Sequence, residues 1–277
     1  MAGKRERKGQ SHLPSVLAVL TAMLMLLTAG SGPRGGTVTS PAEAAEPAVV
    51  REQKALRETE TVMEEAAPAV PEAALPEDGP VRESAPVEDT YFDDAVFLGD
   101  SRTEGFSLYS GLKTGQYLYA VGATVESVFS KPAWKEADGK VPLLDALADT
   151  ECGKIYLMLG VNELGWTKIE NFHDQYAKVI DRIREDHPAA EIVLQSILPV
   201  SALQEAKGTY VNNARIQEYN QVIAALAAEK DCHYLNVAEA VTGTDGCLPS
   251  YWNFDGIHLN PDGCRVWLHY LRTHSVS

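Results

Sequence analysis

The sequence predicts an α/β fold whose parallel sheet is covered on both faces, and it confines that fold to residues 91–277 of the 277-residue chain. Three observations predict it. All 21 aromatic residues and all four cysteines lie at or after Tyr91, so only that part carries the bulky side chains of an ordinary core. Five short apolar runs there have the length of buried strands. Stretches with helical apolar spacing alternate with the later runs, and such alternation builds a parallel sheet between helical layers.

Taken in order, Ala95–Leu98 is the first predicted strand and Tyr117–Val121 the second. Ile155–Leu159 is the third. A helix is predicted over Ile169–Glu185, where Ile169, Phe172, Tyr176, Val179, Ile180 and Ile183 share one face and His187-Pro188 stops the run. Ile192–Ile197 is the fourth strand. A second helix spans Asn213–Ala228, with Ile216, Tyr219, Ile223 and Leu226 aligned. His233–Val237 is the fifth strand. Asn260 followed by Pro261 reads as an N-cap and first-turn pair opening a last helix through Val266, Leu268 and Leu271.

The first 90 residues are of another kind. Lys4, Arg5, Arg7 and Lys8 precede an apolar run from Val16 to Leu27 broken only by Thr21. A cationic head before a short apolar run is the pattern of a secretory signal, and residues 1–30 are expected to be a cleaved signal or an uncleaved anchor. Export, to the cell envelope or beyond it, is the expected localisation. Residues 31–90 hold eight prolines, eleven alanines and thirteen acidic residues, the composition of an extended, solvated linker. Its maximum reach is roughly 200 Å. The whole chain carries a net charge of −15. Phosphate backbones need a basic face, so nucleic acid is excluded as a main partner. The absence of any 18-residue uninterrupted apolar stretch excludes a multi-span membrane protein, leaving the N-terminal segment as the one expected membrane contact.

In open α/β sheets ligands gather beyond the carboxyl ends of the strands. Gly99-Asp100-Ser101 follows the first strand, Gly122 the second and Gly160-Val161-Asn162 the third. Asp255-Gly256-Ile257-His258 precedes the last helix. A serine hydroxyl needs a base to take its proton as it attacks. His258 is the candidate base, and Asp255, three residues earlier, is placed to fix its tautomer. The oxyanion formed by attack on a carbonyl needs preorganised donors. Backbone N–H groups of Ser101 and Gly122 and the side-chain amide of Asn162 are the candidates.

These four blocks, in this order, resemble the SGNH (GDSL) hydrolases from Phe97 to the C-terminus. The segment Asn213-x-x-Ile216-x-x-Tyr219-Asn220 is also similar to the helix before the family's last block. The resemblance implies a three-layer α/β/α sandwich with a five-stranded parallel sheet and esterase or acylhydrolase activity without a metal. It assigns Ser101 as nucleophile and oxyanion donor, Gly122 and Asn162 as the other donors, His258 as base and Asp255 as its partner. Arg102 departs from the apolar residue common at this place, and leaves substrate preference open.

Weaker signals remain. Arg102 either holds an anionic substrate group or is a solvated arginine at a helix start. Trp166, and Trp252 beside Tyr251, flank the blocks as candidate substrate contacts or as loop-packing aromatics. His173, His187, His233, His269 and His274 lack the Asp-x-x-His context and are read as structural or surface residues. No P-loop, Gly-x-Gly-x-x-Gly, His-Glu-x-x-His or Cys-x-x-Cys occurs, so no cofactor or metal is expected. Four cysteines allow three pairings: Cys247 and Cys264 bracket the Asp255–His258 loop and are the candidate disulfide, whereas Cys152 and Cys232 each precede a strand and can bridge only if those strands are neighbours. The expected partner is an ester substrate, an acetylated polysaccharide among the options. The expected function is an exported serine esterase removing small acyl groups from carbohydrate or envelope esters. The alternatives are a lipid acylhydrolase or thioesterase, and an envelope-binding module without turnover.

Overall fold

The computed structural model describes residues 79–276. The expected signal and most of the expected linker lie outside the described residues. Five parallel strands form the central sheet: β1 (Ala95–Gly99), β2 (Gln116–Tyr119), β5 (Lys154–Met158), β6 (Glu191–Gln195) and β7 (His233–Leu235), in the order β2-β1-β5-β6-β7. The missing numbers belong to a small antiparallel hairpin, β3 (Trp134–Glu136) and β4 (Gly139–Val141). From β1 the chain steps out to β2, then returns across β1 to β5. The direction of winding therefore reverses between β1 and β5, the place where ligands of open α/β sheets gather beyond the carboxyl ends of the strands.

Side chains alternate along each strand, so the sheet buries two cores. Val96 and Leu98 of β1, Ile155 and Leu157 of β5, and Ile192 and Leu194 of β6 face one layer. That layer contains α4 (Ile169–Asp186) and α6 (Asn213–Glu229), which contribute Phe172, Tyr176, Ile216 and Ile223. Phe97, Tyr156, Met158 and Val193 face the other layer, against α1 (Ser101–Tyr109) and α8 (Pro261–Thr273). There Phe97 stacks on Tyr156 at 5.0 Å, and Phe106 lies 4.5 Å from Trp267. Trp267 Nε1–H donates to the side-chain Oε1 of the buried Gln195 at 2.9 Å. The result is a three-layer α/β/α sandwich with a five-stranded parallel sheet, as the sequence implies. The shorter helices are α2 (Ser127–Ser130), α3 (Leu143–Ala148), α5 (Ala202–Glu205) and α7 (Val237–Ala240).

The expected linker runs through residue 90, but over its last stretch the chain lies against the domain. Val81 N–H donates to Tyr234 O at 2.8 Å, and Val87 N–H to Arg272 O at 2.9 Å. Arg272 Nε also donates to Asp89 at 3.0 Å. Among the described residues no helix is long and apolar enough to cross a membrane.

Candidate active site

Register explains how distant residues meet. Gly99 at the end of β1 pairs with Tyr119 of β2 on one side and Met158 of β5 on the other. The loops carrying Ser101, Gly122 and Asn162 therefore leave three adjacent strands at one level. A side chain at Gly99 would run into Thr103 Oγ1 at 2.2 Å and Met158 O at 2.5 Å, so only glycine lets α1 start this close to the sheet. Asp100 caps α1 by accepting from Arg102 N–H at 2.8 Å. Ser101 is thereby the first residue of the helix, where the backbone N–H lacks an intrahelical partner and the dipole favours negative charge.

Ser101 Oγ lies 2.9 Å from His258 Nε2. His258 Nδ1 lies 2.7 Å from Asp255 Oδ2. The other carboxylate oxygen accepts from Ile257 and His258 backbone N–H groups, both at 2.9 Å. Burial acts to raise the Asp255 carboxyl. The bonds from the His258 backbone and ring and from Ile257 outweigh it, and the pKa falls below the usual aspartate value. The sequence-predicted serine, histidine and aspartate thus form one continuous hydrogen-bonded row.

Gly122 sits at φ +73° in the turn closed by Ala123 N–H to Ala120 O at 3.0 Å. It is exposed. Asn162, also exposed, donates one amide hydrogen to Ala123 O at 2.8 Å, which ties the two loops together. Its second amide hydrogen has no partner among the described residues. Gly160, at φ +130°, passes within 2.5 Å of Ile197 at its would-be side chain, so this loop also depends on glycine.

One residue behind the row escaped sequence reasoning. Glu163 is fully buried and its Oε1 accepts from Val125 N–H at 2.6 Å. Burial pushes its carboxyl up to about 8, against the lowering effect of that bond. Asp100 is buried as well, and desolvation raises its pKa although Arg102 opposes this. Nothing in the pattern marks Glu163 beyond its adjacency to Asn162.

Arg102 does not lie in solvent as one of the two sequence readings has it: it is 3% exposed and donates through Nη1 to Leu198 O at 2.9 Å. Its place in the first turn of α1 points it at the neighbouring β6 loop. Burial lowers its pKa to about 10, with Asp100 and Asp255 opposing the change. Trp166 packs against the first core and Trp252 against the second, as loop-packing aromatics do. The candidate Cys247–Cys264 bridge is absent, and all four cysteines are free. Cys264 Sγ turns to Gly105 O at 3.6 Å, whereas Cys247 Sγ accepts from Asn213 Nδ2 at 3.4 Å. Among the described residues no three His, Cys, Asp or Glu side chains gather into a metal-binding group.

No curated protein sequence matches the chain. Several solved structures are similar to it in fold. One from Streptococcus pneumonia, described as a candidate platelet activating factor, is 21% identical with a TM-score of 0.55, over 80% of this chain and 92% of its own. A GDSL-like lipase from Bacteroides thetaiotaomicron is 17% identical with a TM-score of 0.48, over 66% and 86%. An acetyl xylan esterase is 16% identical with a TM-score of 0.48, over 66% and 99%. Residues 97–266, which hold every block of the row and the two loops beside it, match the GDSL-like lipase/acylhydrolase family, and the chain belongs to that family of ester hydrolases.

Proposed function

We propose that this protein is an exported serine esterase that removes small acyl groups, acetyl first among them, from carbohydrate or other cell-envelope esters. The unbroken row from Ser101 through His258 to Asp255 carries this reading. His258 Nε2 takes the Ser101 hydroxyl proton as Oγ attacks the ester carbonyl. Nδ1–H, held by Asp255, keeps the ring in the tautomer that leaves Nε2 free to accept. The oxyanion is held by Ser101 N–H, Gly122 N–H and the second amide hydrogen of Asn162. Collapse of the adduct breaks the bond to the alcohol, which leaves with the proton from His258, and the acyl group stays on Oγ. Water, deprotonated by His258, then attacks the acyl-enzyme and releases the acid.

Two observations bear on the substrate. The depression beside the Gly122 loop, lined by Ala120, Val121, Ala123, Ser127, Val128, Lys131, Ala133 and Leu143, encloses only about 10 Å³, space for a single water, and so offers no room for a long acyl chain. Tyr109 and Phe254 are exposed and meet edge to face at 5.6 Å beside the Asp255 loop, a surface suited to a sugar ring. The cationic head and apolar run at the N-terminus support export.

Hydrolysis of p-nitrophenyl acetate by the full chain and by Ser101→Ala tests the chemistry. The variant is expected to lose essentially all turnover while keeping its fold, and equal rates would leave only a binding module. A series from acetate to octanoate then tests acyl length: kcat/KM should fall with each extension, and a rise would favour a lipid acylhydrolase.

A further inference from the structure

We propose that Glu163 is a positioning residue that fixes the distance between the Gly122 loop and Asn162 by clamping the backbone of Val125. Two consecutive residues of the loop after β5 reach across to the loop after β2. Asn162 donates to Ala123 O at 2.8 Å, and Glu163 Oε1 accepts from Val125 N–H at 2.6 Å. The bonds run in opposite senses and land two residues apart, so together they block both sliding and rotation of one loop against the other. One bond alone would leave a pivot.

The base of this clamp is itself held. Glu163 N–H donates to Gly160 O at 3.2 Å, and Glu163 O accepts from Trp166 N–H at 2.8 Å and from Tyr219 Oη–H at 2.7 Å. Glu163 is 0% exposed, and its second carboxyl oxygen has no partner among the described residues. Placing an acid in such a position has a desolvation cost that an apolar residue would avoid. What the carboxyl supplies in return is an acceptor for Val125 N–H, which would otherwise be a buried donor without a partner. The inference rests on the oxyanion role proposed for Gly122 and Asn162, since only there does loop spacing matter for turnover. Displacement of a reacting group by about 1 Å can cost on the order of 10²-fold in rate.

The test uses the full chain and p-nitrophenyl acetate, with Glu163→Ala, Glu163→Asp, Glu163→Gln and Ser101→Ala. Glu163→Ala is expected to lower kcat roughly 10- to 100-fold with KM changed little. Glu163→Asp, one methylene short of Val125, should show a similar loss, and it carries the test if the alanine variant does not fold. Glu163→Gln retains an acceptor oxygen of the same reach and is expected to recover most of the lost kcat. Unaltered kcat in Glu163→Asp, a loss confined to KM, or a glutamine variant no better than alanine would overturn the clamp. If Ser101→Ala turns over at the parent rate, the serine mechanism fails and the catalytic purpose of the clamp fails with it. If Ser101→Ala is inert while Glu163→Ala and Glu163→Asp are fully active, the clamp alone is overturned.

Discussion

Asp255 grips His258 with both oxygens of one carboxylate: Oδ2 lies 2.7 Å from the ring Nδ1, and Oδ1 accepts the histidine's own backbone N–H at 2.9 Å. The carboxylate therefore fixes the ring's tautomer and the backbone that carries it. Asp255→Asn would offer Nδ1 a donor instead of an acceptor. The expected fall in kcat on p-nitrophenyl acetate is about 10³- to 10⁴-fold, measured at pH 7 with unfolding checked by circular dichroism.

The same bonds give a pH signature. The folded-state pKa of Asp255 is depressed, so its contribution to stability is complete above the unfolded value, about 3.9, and is lost as pH falls through the lower folded value. The stability gap between the parent and Asp255→Asn should be constant near neutrality and shrink as pH drops below about 4. Urea unfolding at a series of pH values measures it, and a gap that widens in acid would contradict the assignment.

Asn162→Ala removes the one side-chain donor proposed for the oxyanion. A loss of about 10²- to 10³-fold in kcat is expected, with KM affected far less. A KM-dominated loss would place Asn162 in substrate binding instead.

Gly256 lies between Asp255 and His258 at φ +92°, and a side chain there would meet Ser201 Oγ at 2.5 Å. Its N–H donates to Asn253 Oδ1 at 2.7 Å, and its carbonyl accepts from Ser201 N–H at 2.9 Å. Gly256→Ala should cost about 1–3 kcal/mol from backbone strain, with a fall in kcat as the imidazole is displaced. Thermal melting and steady-state kinetics on the same sample check both effects.

Two chain-level expectations follow from contacts outside the site. Truncation to residue 91 removes the Val81–Asp89 contacts with Tyr234, Arg272 and Thr273, and should be less stable than truncation to residue 79 by about 1–3 kcal/mol. Denatured without reductant, the protein should titrate as four thiols. In the folded state Cys264, pushed up to about 12 by burial, should be nearly inert to iodoacetamide.

Much of this was legible in the sequence for identifiable physical reasons. β1, β5 and β6 are buried on both faces and read as continuous apolar runs. The last helix announces itself through Asn260, whose side chain accepts from Asp262 and Gly263 N–H groups as the Asn-Pro pair predicts. Site residues with a local pattern, Asp255-x-x-His258 above all, were readable too. The residues that were missed depend on contacts remote in sequence. Glu163 finds Val125, 38 residues earlier, and Arg102 finds Leu198, 96 residues later. The hairpin Trp134–Val141 has strands of three residues and a charged tip, too short for any alternation to register. Residues 81–89 have a linker's composition, and they are held mainly through backbone groups that composition does not reveal.

Between Asn253 and Leu259 the chain closes on itself. Phe254 N–H returns to His258 O at 3.0 Å, Asn253 bridges to Leu259, and the aspartate binds only within its own turn. The acid–base pair therefore rides on a compact cassette beside the sheet, tied to the loop after β6 through Ser201 N–H to Gly256 O, while the nucleophile and its neighbouring donors are welded to three strands. Exchanging or redesigning that short cassette would retune the proton-transfer chemistry without disturbing the alignment of any strand.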